Sequence, residues 1–166
     1  KTIDDFRDYF KPNKKKEEIY IKDVVKKCLD FLEYLFKLNS IKINYQNTST
    51  TSLKIYLNEL MQVFVNLIKN SCDAFVENCI EDRIININSY ETEDYLFIEF
   101  EDNAGGIKDD VITKIFDPYF STKSNKNGTG LGLYMSKTII EEHSGGKLDV
   151  YNTNLGAKFV IKLPLK

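Results

Sequence analysis

A long helix is predicted over residues 57–79, and this segment constrains the fold more than any other. Apolar side chains recur on one of its sides at the spacing of a helix that lies on a core: Leu57, Met61, Phe64, Ile68, Phe75 and Cys79. At 1.5 Å per residue such a helix is about 35 Å long. It needs an apolar layer of similar length, which must come from other parts of the chain.

Alternating apolar residues, which are typical of half-buried strands, occur before and after this helix. Helices are also predicted over 21–38 and 130–143. Strands that follow one another in hairpin-like pairs, together with helices, predict an α+β sandwich. The predicted strands cover 41–46, 53–56, 83–90 and 94–102, with two more around Leu148–Val150 and Phe159–Leu163.

Composition argues against several classes of protein. The 166 residues are 42% hydrophobic, which is too apolar for a disordered chain. The 23 basic and 25 acidic residues leave a net charge of −2, so no nucleic-acid binding is expected, because that function normally requires a basic excess. No apolar run approaches the ~18 residues of a membrane span, and we expect no membrane contact by this part of the protein.

The cysteines and the histidine limit the possible chemistry. Cys28, Cys72 and Cys79 form no CxxC pair and are odd in number, so neither a disulfide framework nor a zinc site is predicted. We expect them to be reduced and mostly in the core, in a cytoplasmic domain whose parent protein is free or membrane-anchored. His143 is the single histidine, which excludes mechanisms that need two histidines within this chain.

The first residues are expected to belong to a neighbouring structure. Ile3, Phe6 and Phe10 have helical spacing, Pro12 ends that helix, and residues 13–18 form a polar linker. The chain starts without an initiator Met and without a signal peptide. We therefore expect it to be part of a longer protein.

A polar stripe runs along the 57–79 helix opposite its apolar side: Glu59, Gln62, Asn66, Asn70, Asp73 and Glu77. Asn66 and Asn70 are one turn apart, although asparagine is a poor helix former. Two amide oxygens at this spacing can hold Mg²⁺ and leave room for phosphate oxygens and water. The alternative is that the stripe is simply solvent-exposed surface.

Asp102 ends the strand over 94–102. Strand alternation places its side chain on the same side as Leu96, Ile98 and Phe100, where a carboxylate is disfavoured unless it finds hydrogen-bond donors. The glycines at 105 and 106 allow a ligand to approach the backbone closely. A flat ring that carries an amine would satisfy both conditions, whereas the alternative is an ordinary Asp-Asn turn.

A glycine loop, Gly128-Thr129-Gly130-Leu131-Gly132, leads into the 130–143 helix. Backbone N–H groups at a helix N-terminus can bind phosphate. The spacing matches neither the dinucleotide-binding pattern nor the P-loop. The segment 103–129 that precedes the helix is long for an irregular loop, and such loops are usually functional.

Taken in this order, the segments resemble the catalytic, ATP-binding domain of the sensor histidine kinases, in the ATPase superfamily (Bergerat fold) shared with gyrase, the mismatch-repair ATPases and a heat-shock chaperone. The resemblance covers about residues 20–166, including the closing turn His143-Ser144-Gly145-Gly146. The matching motifs are an Asn box over 62–74, a first glycine box over 102–107, a phenylalanine box over 115–123 and a second glycine box over 127–133.

The resemblance implies a two-layer α/β sandwich, with a mixed, mostly antiparallel sheet covered on one face by about three helices. Residues 19–166 would be the catalytic domain, and residues 1–18 the end of a dimerisation helix and a linker. ATP and Mg²⁺ would bind between the helices and the sheet. The γ-phosphoryl group would pass to a histidine on a dimerisation domain absent from this chain, leaving ADP, and a response regulator would be a partner of the full-length protein.

The resemblance also implies roles for individual residues. Asp102 would accept a hydrogen bond from the adenine amine, and Asn70, with help from Asn66, would ligate Mg²⁺. Asn66 and Lys123 would be the catalytic residues, although Lys123 could equally be a solvated residue of a mobile lid over 108–127, which Phe116 and Phe120 would anchor. The nucleotide would contact Asn66, Asn70, Asp73, Asp102, Gly106, Ile107, Phe116, Thr122, Lys123, Gly128, Thr129, Gly130, Leu131 and Gly132.

Two departures from the family pattern, and one residue that separates its subclasses, bear on function. The phosphoacceptor histidine is absent, and His143, at the end of a predicted helix, is expected to be structural. Ala104 takes the place of a glycine in the first glycine box, which costs about 1 kcal/mol if that position needs a positive φ. Asn66 stands where the ATPase members carry a water-activating Glu, and an amide cannot act as a general base. A kinase is therefore favoured over an ATPase of the same superfamily. A non-catalytic nucleotide-binding module is the other alternative, and a histidine-containing helical hairpin before Lys1 would separate a kinase from both.

Overall fold

The computed structural model describes residues 15–121 and 130–166. Seven strands are found there, and five of them form the main sheet in the order β2-β4-β5-β7-β6 once they are numbered along the chain. Within this sheet β2 is parallel to β4 and the other pairs are antiparallel. The strands are β1 (Glu17–Ile19), β2 (Ile41–Asn47), β3 (Leu53–Ile55), β4 (Arg83–Glu91), β5 (Tyr95–Asp102), β6 (Lys147–Asn152) and β7 (Ala157–Pro164).

The described helices differ greatly in length. They are α1 (Ile21–Phe31), α2 (Glu33–Leu38), α3 (Leu57–Glu77), α4 (Asp109–Ile112) and α5 (Gly132–Thr138), and α5 continues into a π-helical turn (Ile139–His143). α3 is the long helix predicted over 57–79. Within the described ranges, none of the helices combines the length and the apolar character that crossing a membrane requires.

The core lies between one face of the sheet and the helices. Ile87 of β4 is opposite Phe100 of β5, and Phe100 is in turn opposite Phe159 of β7. Because successive side chains of a strand point to opposite faces, these three share a face and all are buried. Phe64 of α3 packs on Phe100 with 5.2 Å between the ring centroids. The predicted α+β fold with a mixed, mostly antiparallel sheet is thus confirmed.

Several predicted boundaries differ from the structure. The helix predicted over 21–38 is interrupted at Leu32, with φ −95° and ψ 4°. No glycine or proline marks this break, and Phe31 and Phe36 on its two sides are both buried, so the break is set by packing. The predicted linker over 13–18 includes the start of β1, which pairs with β3. The helix predicted from Ile3 to Phe10 lies outside the described residues.

Cys79 does not lie on the apolar side of α3 as predicted, because the helix ends first. Asn78 caps it, Cys79 has φ +52°, and Ile80 N donates to Phe75 O at 3.0 Å while Cys79 N donates to Val76 O at 3.2 Å. These are the two hydrogen bonds of a Schellman motif, in which glycine is the usual residue at the left-handed position. The Cys79 side chain is consequently exposed.

Candidate functional site

A cavity of about 520 Å³ lies between the C-terminal half of α3, the turn after β5 and the start of α5. The polar stripe of α3 divides here. Asn66, Asn70, Asp73 and Glu77 line the cavity, whereas Glu59 faces the π-helical turn and bonds His143. The stripe is therefore not plain surface, since its C-terminal half forms one wall of a cleft.

Asp102 lines one end of this cavity with only 5% of its surface exposed. Its Oδ2 accepts a hydrogen bond from Ser71 Oγ at 2.8 Å. Its Oδ1 accepts from the backbone N–H groups of Ala104 at 3.0 Å and Ala157 at 3.3 Å. Neutral donors thus hold the carboxylate in place, and no ion pair among the described residues involves it. It can accept a further donor from the cavity.

The turn between β6 and β7 supports Asp102 from behind. A Cβ atom on Gly156 would lie 2.3 Å from Asp102 O and 2.7 Å from Asp102 Oδ1. Only glycine fits at position 156, because a Cβ atom does not come this close to another heavy atom in a folded protein. Thr153 shapes the turn, with its N–H donating to Gly156 O at 2.7 Å.

The first glycine turn follows Asp102 and is held from two sides. Asn78, the cap of α3, donates through Nδ2 to Ala104 O, and Asn152 at the end of β6 both accepts from Ile107 N at 2.8 Å and donates to Ile107 O at 2.6 Å. Gly105 and Gly106 have φ +99° and +81°. Ala104 has no positive φ, so the penalty considered for it does not arise, because the two glycines make the turn.

At the other end of the cavity, Asn66 joins α3 to α5. Its Nδ2 donates to Gly132 O and to Ser136 Oγ, both at 3.3 Å. Ser136 is fully buried, and its hydroxyl donates to Gly132 O at 2.9 Å. Asn66 therefore binds the first turn of α5 through the nitrogen side of its amide.

The segment after α4 packs on the sheet and on α5 through aromatic contacts. The Phe116 ring meets the Phe159 ring edge to face, with 6.4 Å between centroids. Lys137 Nζ lies over the Phe116 ring, 4.6 Å from its centroid. Phe116 therefore anchors this segment from outside the cavity, whereas Ile115 and Phe120 line it.

The predicted site residues are brought together only in part. Leu131 and Phe116 do not line the cavity. Thr122, Lys123, Gly128 and Thr129 lie outside the described residues. Those that do line it are Asn66, Asn70, Asp73, Asp102, Gly106, Ile107, Gly130 and Gly132.

The sequence argument missed several residues of the site. Ser71 follows Asn70 directly and lies on the buried side of α3, so a polar residue in an apolar position was the available signal. No such sequence signal marks Asn78, Asn152 or Gly156, because each of them contacts a backbone group far away in the chain. Lys69 and Lys108 also line the cavity and bring positive charge to it.

The side-chain oxygen atoms that line the cavity are suitable ligands for a magnesium ion. Asn66, Asn70 and Asp73 offer amide and carboxylate oxygens on one wall, and Mg²⁺ is typically bound by few protein oxygens together with phosphate oxygens and water. In the ranges 15–121 and 130–166, no group of three His, Cys, Asp or Glu residues is arranged to hold a metal. A site of this kind thus depends on oxygen atoms from a bound ligand.

A second depression of about 640 Å³ lies where α2 and α3 end, lined by residues such as Leu38, Val76, Cys79 and Arg83. It is more open, and none of the predicted site residues lines it. We therefore assign the functional site to the cavity beside Asp102.

Comparison with known proteins agrees with this geometry. The family model described as histidine kinase-, DNA gyrase B-, and HSP90-like ATPase matches residues 56–166. Among curated relatives, sporulation kinase A of Bacillus subtilis is 34% identical over 158 residues, which are 93% of this chain and 25% of that protein. The sensor protein TdiS of Thauera aromatica is 32% identical over 149 residues, 87% of this chain and 27% of that protein.

The two-component sensor PprA of Pseudomonas aeruginosa is 36% identical over 110 residues, 64% of this chain and 12% of that protein. The chain thus spans about a quarter or less of these relatives. Among solved structures, the catalytic domain of histidine kinase ThkA superposes with a TM-score of 0.79 at 25% identity, covering 90% of this chain and 95% of that one. ThkA in complex with the response regulator TrrA gives 0.76 at 20% identity, covering 99% of this chain and 46% of that one.

Proposed function

Because the chain belongs to the family of histidine kinase-, DNA gyrase B- and HSP90-like ATPases, we propose that it is the ATP-binding catalytic domain of a two-component sensor histidine kinase. The observation that carries the proposal is the cavity itself. A buried carboxylate, Asp102, lines it, and the amides of Asn66 and Asn70 line it from α3, where Asn66 donates to Gly132 at the start of α5.

The end of the cavity at Asp102 suits an adenine ring. Asp102 is an acceptor that neutral groups hold in place, so the exocyclic amine of adenine can donate to it. Guanine carries an oxygen at the equivalent position and would place two acceptors against each other. Gly106, at φ +81°, carries no side chain between the ring and the turn, and Ile107, Val111 and Ile115 add apolar lining.

The phosphates of ATP would extend towards Asn66, Gly130 and Gly132. Mg²⁺, when bound by Asn70 and Asn66, would neutralise phosphate charge and hold the terminal phosphates in place. Lys69 and Lys108 add positive charge from the cavity wall. Nucleotide contacts by Thr122, Lys123, Gly128 and Thr129, and the catalytic role of Lys123, are also part of the proposal.

The acceptor histidine is proposed to come from a dimerisation domain. The single histidine of the chain, His143, bonds Glu59 at 3.2 Å and does not line the cavity. In the transfer, an imidazole nitrogen of the acceptor would attack the γ-phosphorus, the bond to the β–γ bridging oxygen would break, and ADP would leave. Transfer of this kind requires positioning and charge neutralisation more than a general base, which agrees with an amide at position 66.

The proposal extends to the parent protein. Residues 1–18 would connect this domain to the dimerisation helices, and a response regulator would receive the phosphoryl group, as the relatives' names and the ThkA complex suggest. A cytoplasmic location is supported by the three cysteines, none of which forms a disulfide.

Calorimetric titration of the chain with ATP, ADP and GTP tests the proposal. We expect both adenine nucleotides to bind, GTP to bind far more weakly, and the chain alone to hydrolyse almost no ATP. Rapid hydrolysis would identify an ATPase instead. Failure to bind any adenine nucleotide would refute the assignment altogether.

Substitution of Asn70 tests the metal part separately. Asn70→Ala should weaken binding of ADP in Mg²⁺ much more than binding of ADP in EDTA, because the lost group is a metal ligand. The helix should persist, since alanine has the higher helix propensity. Equal losses in Mg²⁺ and in EDTA would show that Asn70 contacts the nucleotide without the metal.

A further inference from the structure

We propose that Ser136 is a positioning residue for the metal site, because its hydroxyl holds the Asn66 amide with Nδ2 towards α5 and Oδ1 towards the cavity. This inference rests on the proposed ATP and Mg²⁺ site. It concerns a residue that touches neither ligand, since Ser136 does not line the cavity. It explains how one amide can both join two helices and supply a metal ligand.

Burial of Ser136 demands partners for its hydroxyl. The residue is 0% exposed, and an unpaired buried hydroxyl is costly. Its single proton is used on Gly132 O, one helical turn earlier, at 2.9 Å. The oxygen lone pairs that remain can only accept, and Asn66 Nδ2 lies 3.3 Å away as the donor.

Gly132 O is the second acceptor and favours the same end of the amide, so Ser136 and Gly132 fix its orientation together. A carbonyl oxygen accepts hydrogen bonds and never donates, so the atom of Asn66 that faces it at 3.3 Å must be the nitrogen. The two Nδ2 protons then have two acceptors, Gly132 O and Ser136 Oγ. If the amide turned over, Oδ1 would face Gly132 O, and two acceptors would repel each other.

The oxygen of Asn66 is left for the cavity. The nitrogen of the Asn66 amide is engaged by Gly132 and Ser136, so its oxygen is at the opposite end of the amide, and Asn66 lines the cavity beside Asn70. Amide oxygen is a suitable ligand for Mg²⁺, whereas amide nitrogen is not. Ser136 therefore acts on the metal through the orientation of Asn66, as hydrogen-bond partners of metal ligands commonly do.

The variant Ser136→Ala tests this role through the metal dependence of nucleotide affinity. For each protein the ratio of the ADP dissociation constant in EDTA to that in Mg²⁺ is measured by calorimetry. We expect Ser136→Ala to lower this ratio by about tenfold, the size seen for partners of metal ligands, while affinity in EDTA stays unchanged. An unchanged ratio, or an equal loss in both buffers, would overturn the inference.

Thr138→Ala is the matched control. Thr138 lies on the same helix and makes the same kind of bond to the preceding turn, Oγ1 to Tyr134 O at 3.1 Å, but it is on the exposed side. The Thr138→Ala variant should leave the ratio of the two ADP dissociation constants unchanged. It shows any general effect of losing a hydroxyl from α5. A fall in the ratio equal to that of Ser136→Ala would contradict a specific role for Ser136.

A double-mutant cycle makes the test independent of stability. In an Asn66→Ala background the amide that Ser136 orients is gone, so adding Ser136→Ala should have no further effect on the ratio. A further fall of the same size would show that Ser136 acts by another route. If the wild-type chain binds no nucleotide, the proposed function fails. If it binds with a strong dependence on Mg²⁺ but the variants do not differ, this inference alone fails.

Discussion

Gly130 and Tyr119 approach each other so closely that no side chain can be accommodated at position 130. A Cβ atom there would lie 2.5 Å from Tyr119 C, and Tyr119 N donates to Gly130 O at 2.9 Å. Gly130 has φ +70° and Tyr119 itself has φ +64°. The glycine at the centre of the second glycine box is therefore required by a backbone contact, whatever it contributes to phosphate binding.

Gly130→Ala should destabilise the fold even without nucleotide. A positive φ costs alanine roughly 1–2 kcal/mol, and the overlap with Tyr119 should add about 1–3 kcal/mol. The free energy of unfolding, measured with urea, checks this. Gly145→Ala is the control, because Gly145 has φ +68° but nothing within 4 Å of its Cβ position. Equal losses in the two variants would show that the contact with Tyr119 does not matter.

Gly156→Ala should reduce nucleotide affinity more than its effect on stability explains, because the added methyl group would displace Asp102. Gly146→Ala is the control, since its Cβ would lie 2.2 Å from Lys162 O, a similar overlap that involves none of the residues lining the cavity. Both variants should unfold at lower urea concentration. In ADP titrations of the folded proteins, Gly156→Ala should bind more weakly than Gly146→Ala. Equal ADP affinities of the two variants would show that Gly156 does not support the nucleotide site.

Asp102→Asn should weaken ATP binding by roughly 1–3 kcal/mol. The amide oxygen will occupy the position of Oδ1, where two backbone N–H groups donate, and the NH₂ group will then face Ser71 and the cavity. It would oppose the adenine amine, donor against donor. Glu101→Gln, in the same strand but on the opposite face, is the control for loss of one charge. Unchanged ATP affinity in Asp102→Asn, by calorimetry, would exclude Asp102 from adenine binding.

The three cysteines should react with thiol reagents very differently. Burial raises the pKa of Cys28 to about 12 and that of Cys72 to about 11, whereas Cys79 is exposed. Because the thiolate is the reactive form, we expect Cys79 alone to react rapidly at pH 8 in the folded chain, and all three after unfolding. Rapid loss of Cys28 or Cys72 in the folded chain, followed by mass spectrometry, would contradict their burial.

The same pKa shifts predict a loss of stability at alkaline pH. A thiol whose pKa is raised on folding favours the folded state below its unfolded pKa, about 8.5, and this contribution is lost as the pH rises towards the folded value. For Cys72 the free energy of unfolding should fall between that pH and about 11. Cys72→Ala should show a smaller fall over this range, and an identical fall would mean that Cys72 does not contribute.

Much of the fold and part of the site could be predicted from local patterns. The spacing of Phe64 and Ile68 on α3, and the alternation that puts Asp102 on the same face as Phe100, depend only on helix and strand geometry. Such geometry repeats over a few residues, so it is visible in the chain. The same holds for Asn66 and Asn70, whose shared face follows from a spacing of four.

Tertiary structure decided how these residues are held. Which atom of Asn66 faces the cavity depends on Gly132 and Ser136, and the position of Asp102 depends on Gly156. These contacts join backbone and side-chain groups that lie more than fifty residues apart, and they arise only when the sheet and helices pack. Hydrogen bonds and overlaps change within a few tenths of an ångström, so no short sequence pattern could have indicated them.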